Sequence, residues 1–165
     1  MVCLGNICRS PMAEVLLRAE LDRAGLSGRV EVDSAGTGDW HVGGPMDSGA
    51  RAELSRRGYD GAAHRARQID PSWFERYDLV AAMDAGNLAR LRRMAPDREA
   101  ADRTMLLLSF DPARAGSGSG DLEVPDPYGG GPEDYELVFD LVQPAARGLA
   151  GQLAELLADR PAAAE

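Results

Sequence analysis

The stretch VCLGNICRSP, Val2 to Pro11, holds both cysteines of the chain with a glycine, an asparagine and an arginine, and ends in Ser-Pro where a helix can open. Metal site, disulfide, phosphate cradle and nucleophile all compete for it. A zinc site would draw on Cys3, Cys8, His41 and His64, the only thiols and imidazoles present, and Arg9 inside the cluster opposes a dication. No metal is expected. The cysteines lack the two-residue spacing of thioredoxin-like pairs, and GNICRSP lacks the Gly-Lys-Ser/Thr ending of a nucleotide P-loop.

A nucleophile in a phosphate cradle fits each position. A loop that wraps an oxyanion turns successive amide N–H groups inward, and Gly5 and Asn6 tolerate the left-handed backbone this needs. The following helix adds its positive end. Arg9 supplies a planar fork for two phosphate oxygens, and these positive surroundings favour the Cys3 thiolate. On the residues alone, a buried inert Cys3 is the alternative.

Working outward, 165 residues with 44% hydrophobic content suit one domain that buries its own core. A net charge of -9 argues against wholesale binding of nucleic acid or anionic membrane, and leaves room for one local anion site. Two cysteines, no signal-like start and no membrane-length apolar run lead us to expect a cytoplasmic protein, with a small or site-limited partner.

MAEVLLRAELDRAGL (12–26) has helical spacing, opening at Ser10-Pro11 and stopping at Gly25. RVEVDSAG (29–36) alternates like a short strand, and DSGARAELSRRG (47–58) is helical. DLVAAM (78–83) and TMLLLSF (104–110) read as buried strands, with a helix in MDAGNLARLRRMAP (83–96) capped by Asp84 and stopped by Pro96. Residues 132–158 form a long last helix, which Pro144 is expected to kink. ARAGSGSGD (113–121) is a flexible run before VPDPYGGGP (124–132), and no internal repeat is present. Alternation of strand and helix predicts an α/β fold: a single domain over 1–160, a central mostly parallel sheet of about four strands with helices on both faces, and a disordered tail at 161–165. Ligands of such sheets bind beyond the carboxyl ends of the strands, where the opening loop would sit.

Cys3, five residues, then Arg9-Ser10 resembles the signature of the low-molecular-weight protein tyrosine phosphatases, and DSAGTGDWHVG, HRARQ, MDAGNL and DPY follow in that family's order over nearly the whole chain. The resemblance implies a phosphotyrosine and aryl-phosphate hydrolase without a cofactor. It makes Cys3 the nucleophile, Arg9 the phosphoryl-binding residue and Asp126 the general acid and base, although Asp126-Pro127 alone reads as a turn. Leu4, Gly5, Asn6, Ile7, Cys8 and Ser10 would form the phosphate loop. Ser10 would stabilise the thiolate, cap the helix, or both. Asn6, Ser34 and His64 would hold the loop by hydrogen bonds, and Trp40 and Tyr128 would wall the substrate cleft. Cys8 resembles a partner for a reversible, protective disulfide with Cys3, with a small buried filler as the alternative. Gly129 departs from the many members that have a second tyrosine there. His41 reads as a surface or satisfied histidine and Asp84 as a helix cap. The implied partner is a phosphotyrosine protein, a bacterial tyrosine kinase among the candidates, and the expected state is a monomer. Two rival functions are arsenate reduction, which needs further cysteines that the chain lacks after Cys8, and phosphotyrosine binding without turnover, for which a thiolate and an acid are superfluous.

Only Met1 and Val2 precede Cys3, and at about 3.3 Å per residue they span roughly 7 Å, against about 17–20 Å for a typical strand. A truncated first strand is expected. Its neighbours would then face a gap, or the Met1 amino group would lie inside the sheet, and an added run of about five or six β-branched residues should raise Tm and kcat together.

Overall fold

A computed structural model describes residues 1–158; the tail expected at 161–165 lies outside the described residues. The strands are β1 (Val2–Cys3), β2 (Ala35–Gly36), β3 (Val80–Ala82) and β4 (Thr104–Leu106). The helices are α1 (Arg9–Arg23), α2 (Ser48–Arg56), α3 (Trp73–Arg76), α4 (Ala85–Met94), α5 (Arg98–Asp102) and α6 (Pro132–Ala158). All pairings are parallel and the order is β2-β1-β3-β4, so the chain leaves β1 toward one edge and returns to its other side. That reversal puts the loop after β1 at the switch point of the sheet, the usual ligand position in such folds.

Side chains alternate across the sheet, and the core divides accordingly. Cys3, Ala81 and Met83 pack with Leu16, Leu54, Phe139 and Val142, on the face covered by α1, α2 and α6. Val2, Ala35, Val80, Ala82 and Leu106 pack with Phe74, Leu91 and Ala100, on the face covered by α3, α4 and α5. Helices thus cover both faces. Asp47 caps α2 by accepting from Gly49 and Ala50 N–H, and Asp84 caps α4 by accepting from Asn87 N–H. α6 passes through Pro144 without stopping and buries Val138, Val142, Ala145 and Leu149 along one stripe. No helix among the described residues is long and apolar enough to cross a membrane.

Several expectations need correction. Of the strand read over 29–36 only Ala35–Gly36 pairs, and TMLLLSF is a strand only to Leu106. Leu107–Phe110 then coils into a 3-10 turn whose Leu107 and Leu108 are buried in the α6 face, so this apolar run answers helix packing rather than a ladder. α1 begins at Arg9 with Cys8 as its N-cap, and Ser10 therefore caps nothing.

β1 is a two-residue stub, yet it is paired on both sides, Val2 with Ala35 and Ala82 and Cys3 with Gly36. A cavity of about 390 Å³ lies beside Met1 and Val2, lined by Leu17, Val30, Trp73 and Leu153 among others. The Met1 amino group donates to the Asp33 carbonyl at 2.8 Å. Burial, outweighing attraction to Glu14 and Asp33, lowers its pKa from 8.0 to about 6. Between those values the unfolded chain holds a proton that the folded chain has released, so stability should be lowest below pH 6 and rise toward pH 8. Urea unfolding of the chain beginning at Met1 should show a gain on the order of 2 kcal/mol across that window, absent after N-terminal acetylation. Equal slopes for the free and acetylated chains would refute this.

Candidate active site

The loop Leu4–Cys8 joins β1 to α1. Its turn is made at Asn6, whose φ of 56° is the only positive value at a non-glycine among the described residues. Four bonds hold that conformation. The Asn6 Nδ2 group donates to Ser10 Oγ and Ser34 Oγ at 2.9 Å each, while Asn6 Oδ1 accepts from the Arg67 N–H at 2.8 Å. His64 Nε2 lies 2.7 Å from the Asn6 carbonyl, which only accepts, so Nε2 carries the proton. Burial pushes His64 below the usual imidazole range, against the opposing effect of that carbonyl, and the neutral tautomer fits the bond.

Asn6 N–H donates to Cys3 Sγ at 3.3 Å, and the amides of Leu4, Gly5, Ile7 and Cys8 have no protein acceptor among the described residues. Free donors at the start of a 15-residue helix suit a tetrahedral anion. Cys3 Sγ also lies 3.0 Å from Ser10 Oγ. Because Asn6 occupies an acceptor site on that hydroxyl, the Ser10 proton turns either to the Ala35 carbonyl at 3.3 Å or to a Cys3 thiolate. Burial pushes the Cys8 thiol far up, so Cys8 stays protonated.

Arg9 is 3% exposed, and its guanidinium is fixed from behind. Nη1 donates to Asp84 Oδ2 at 2.6 Å and to the Val124 carbonyl at 3.1 Å, and Nη2 donates to Asp126 Oδ2 at 3.1 Å. Asp126 Oδ1 in turn accepts from the Tyr128 N–H, and both residues line the cleft over the loop's residues. Above this floor opens a cleft of about 210 Å³, lined by Cys3, Leu4, Gly5, Ile7, Cys8, Arg9, Trp40, His41, Asp126 and Tyr128. Trp40 and Tyr128 are 67% and 63% exposed, whereas Cys3 is buried. The larger cavity beside Met1 is lined by neither cysteine and by no histidine.

The family profile of the low molecular weight phosphotyrosine protein phosphatases matches residues 1–160. The chain belongs to that family. A low molecular weight protein-tyrosine-phosphatase of Streptomyces coelicolor is 51% identical over 161 residues, 98% of this chain and 96% of that one. Protein-tyrosine phosphatase A of Mycobacterium tuberculosis is 42% identical over 157 residues, covering 95% and 91%. Among solved structures, the protein tyrosine phosphatase of Entamoeba histolytica with Hepes in the active site superposes with TM-score 0.84 at 33% identity, covering 93% of this chain and 94% of that one. YfkJ of Bacillus subtilis gives 0.82 at 35%, covering 97% and 94%.

In this phosphatase every residue named from the sequence falls in the cleft or directly behind it, Asn6, Ser10, Ser34 and His64 among the supports. Three further residues were missed. Asp84 is both cap and brace: Oδ1 caps α4, leaving Oδ2 for Arg9, and a cap signal in sequence says nothing of the second oxygen. His41 lines the cleft with its ring 6.1 Å from Tyr128, rather than standing on the outer surface. Glu14 accepts from Ser34 Oγ at 2.5 Å and pairs with Arg18 at 2.8 Å, tying the loop's support to α1. Its only sequence signal is a place one helical turn after Ser10.

Proposed function

We propose that the chain hydrolyses phosphotyrosine and aryl phosphates through a phosphocysteine on Cys3, with Arg9 binding the phosphoryl group and Asp126 as general acid and then base. The observation that carries this is Cys3 Sγ, held by Ser10 and Asn6 N–H in a loop whose Leu4, Gly5, Ile7 and Cys8 amides have no protein acceptor among the described residues, and lining one cleft with a braced Arg9. The cradle and Arg9 hold the phosphoryl oxygens, neutralising charge without a metal. The Cys3 thiolate attacks phosphorus, the bond to the phenolic oxygen breaks, and Asp126 gives that oxygen its proton. Asp126, now a carboxylate, takes a proton from water as the water attacks phosphorus, the S–P bond breaks, and thiolate and phosphate are released. Hepes, a sulfonate in the active site of the Entamoeba relative, fits the same view of the cradle as a seat for tetrahedral oxyanions.

The depth of the nucleophile below the exposed rim favours a long aryl stem over a serine, so phosphoserine peptides should be poor substrates. We place the chain in the cytoplasm, as a monomer acting on phosphotyrosine proteins, with an autophosphorylated tyrosine kinase as the partner to test first. Across a leaving-group series in EDTA, Asp126→Asn should lose about 10²–10⁴-fold in kcat/KM, which reports the step that expels the phenolate, for basic phenolates and far less for para-nitrophenolate. Equal losses along the series would move the acid to another residue.

A further inference from the structure

The rim residues Trp40 and His41 stand on glycines. A Cβ built on Gly38 would lie 1.6 Å from Trp40 Cζ3 and 2.2 Å from Cε3, so the indole rests directly on the Gly38 main chain. A Cβ on Gly5 would meet His41 Cδ2 at 3.0 Å. Gly38 does not adopt left-handed backbone, so it is the ring and not the chain path that needs a glycine there. The same residue is tied to the phosphate loop, because Gly38 N–H donates to the Leu4 carbonyl at 2.9 Å and its neighbour Thr37 N–H donates to the Cys3 carbonyl at 2.9 Å. A side chain 67% exposed to solvent is thus held at one place relative to Cys3 by a residue that has no side chain.

We propose that Gly38 is a positioning residue for aryl substrates: its bare main chain seats the Trp40 indole as one wall of the cleft, and its bond to Leu4 fixes that wall relative to the Cys3 loop. The proposal deepens the phosphatase reading and rests on it for its kinetic consequence. The atoms that would clash belong to an exposed ring, which is free to swing outward, so Gly38→Ala should fold.

In Gly38→Ala, KM for para-nitrophenyl phosphate and for a phosphotyrosine peptide should rise about 3- to 10-fold, the size of one lost aromatic contact. Inhibition by inorganic phosphate, which senses the loop alone, should not change. The rise should vanish in a Trp40→Ala background, because no ring remains to be displaced. In a Trp73→Phe background, where Trp40 is the only tryptophan, Gly38→Ala should make its fluorescence easier to quench with acrylamide. Unchanged KM with unchanged quenching, or an equal rise in KM without Trp40, would overturn the proposal. If the wild type turns over no aryl phosphate, the phosphatase reading fails, and the quenching still decides whether Gly38 seats the ring.

Discussion

Cys3→Ser should lower kcat on aryl phosphates by at least about 10⁴-fold and leave binding of inorganic phosphate in place. A hydroxyl of nearly the same shape keeps the contacts that Sγ makes with Ser10 Oγ and Asn6 N–H, so the loop should hold its form. What is lost is the anion. A thiol ionises within reach of neutral pH and a serine hydroxyl does not, and among the described residues the only hydrogen-bond partners of Sγ are Ser10 Oγ and Asn6 N–H, so no base stands there to remove the proton. Single-turnover rates and calorimetric titration with phosphate separate the two effects. A serine variant that keeps a substantial share of wild-type kcat would remove Cys3 from the reaction, and one that no longer binds phosphate would show that the sulfur shapes the cradle.

Arg9→Lys should reduce kcat by about 10³-fold, within a range of about 10²–10⁵, although formal charge is conserved. The guanidinium is engaged at the same time by Asp84, the Val124 carbonyl and Asp126, which hold its plane and present the remaining donors to the anion seat. An ammonium is a point donor without a plane, so it satisfies one carboxylate and leaves the phosphoryl oxygens without a matched fork. Steady-state kinetics with para-nitrophenyl phosphate test this, and a lysine variant within about tenfold of wild type would mean that charge alone suffices.

The site was legible because its centre is contiguous. Cys3, Gly5, Asn6, Arg9 and Ser10 lie within eight positions, and each has a residue type that the chemistry of an anion loop requires. The helices read over 47–58 and 83–96, α2 and α4, were found within two residues of their ends, α4 with the Asp84 cap read from the sequence. Strands were harder. Each is only two or three residues long, too short to display a period, and the ladder is formed by whichever residues lie beside β1 and β3. The apolar run at 104–110 divides between β4 and a turn under α6 because burial, which the run does encode, is compatible with both. α3 and α5, of four and five residues, left no pattern to read.

Contacts across long sequence separations were equally silent. Arg9 and Asp84 are 75 positions apart, and nothing in MDAGNL shows that the cap's second oxygen faces an arginine. His41 was read as a surface or satisfied histidine because a lone histidine in a turn carries no partner in its own sequence; its place in the cleft comes from Gly5, which leaves room for the ring.

The central claim is that phosphate passes through Cys3. Asp126→Asn offers the means to see it, because a good leaving group departs with little help, whereas hydrolysis of the intermediate still needs the base. After mixing with para-nitrophenyl phosphate, acid quenching within the first turnovers and peptide mapping should find one phosphoryl group on the Met1–Arg9 peptide, bound to Cys3 sulfur, with a matching burst of para-nitrophenol. Turnover with no phosphoryl group on Cys3, or with the group on another residue, would contradict the account.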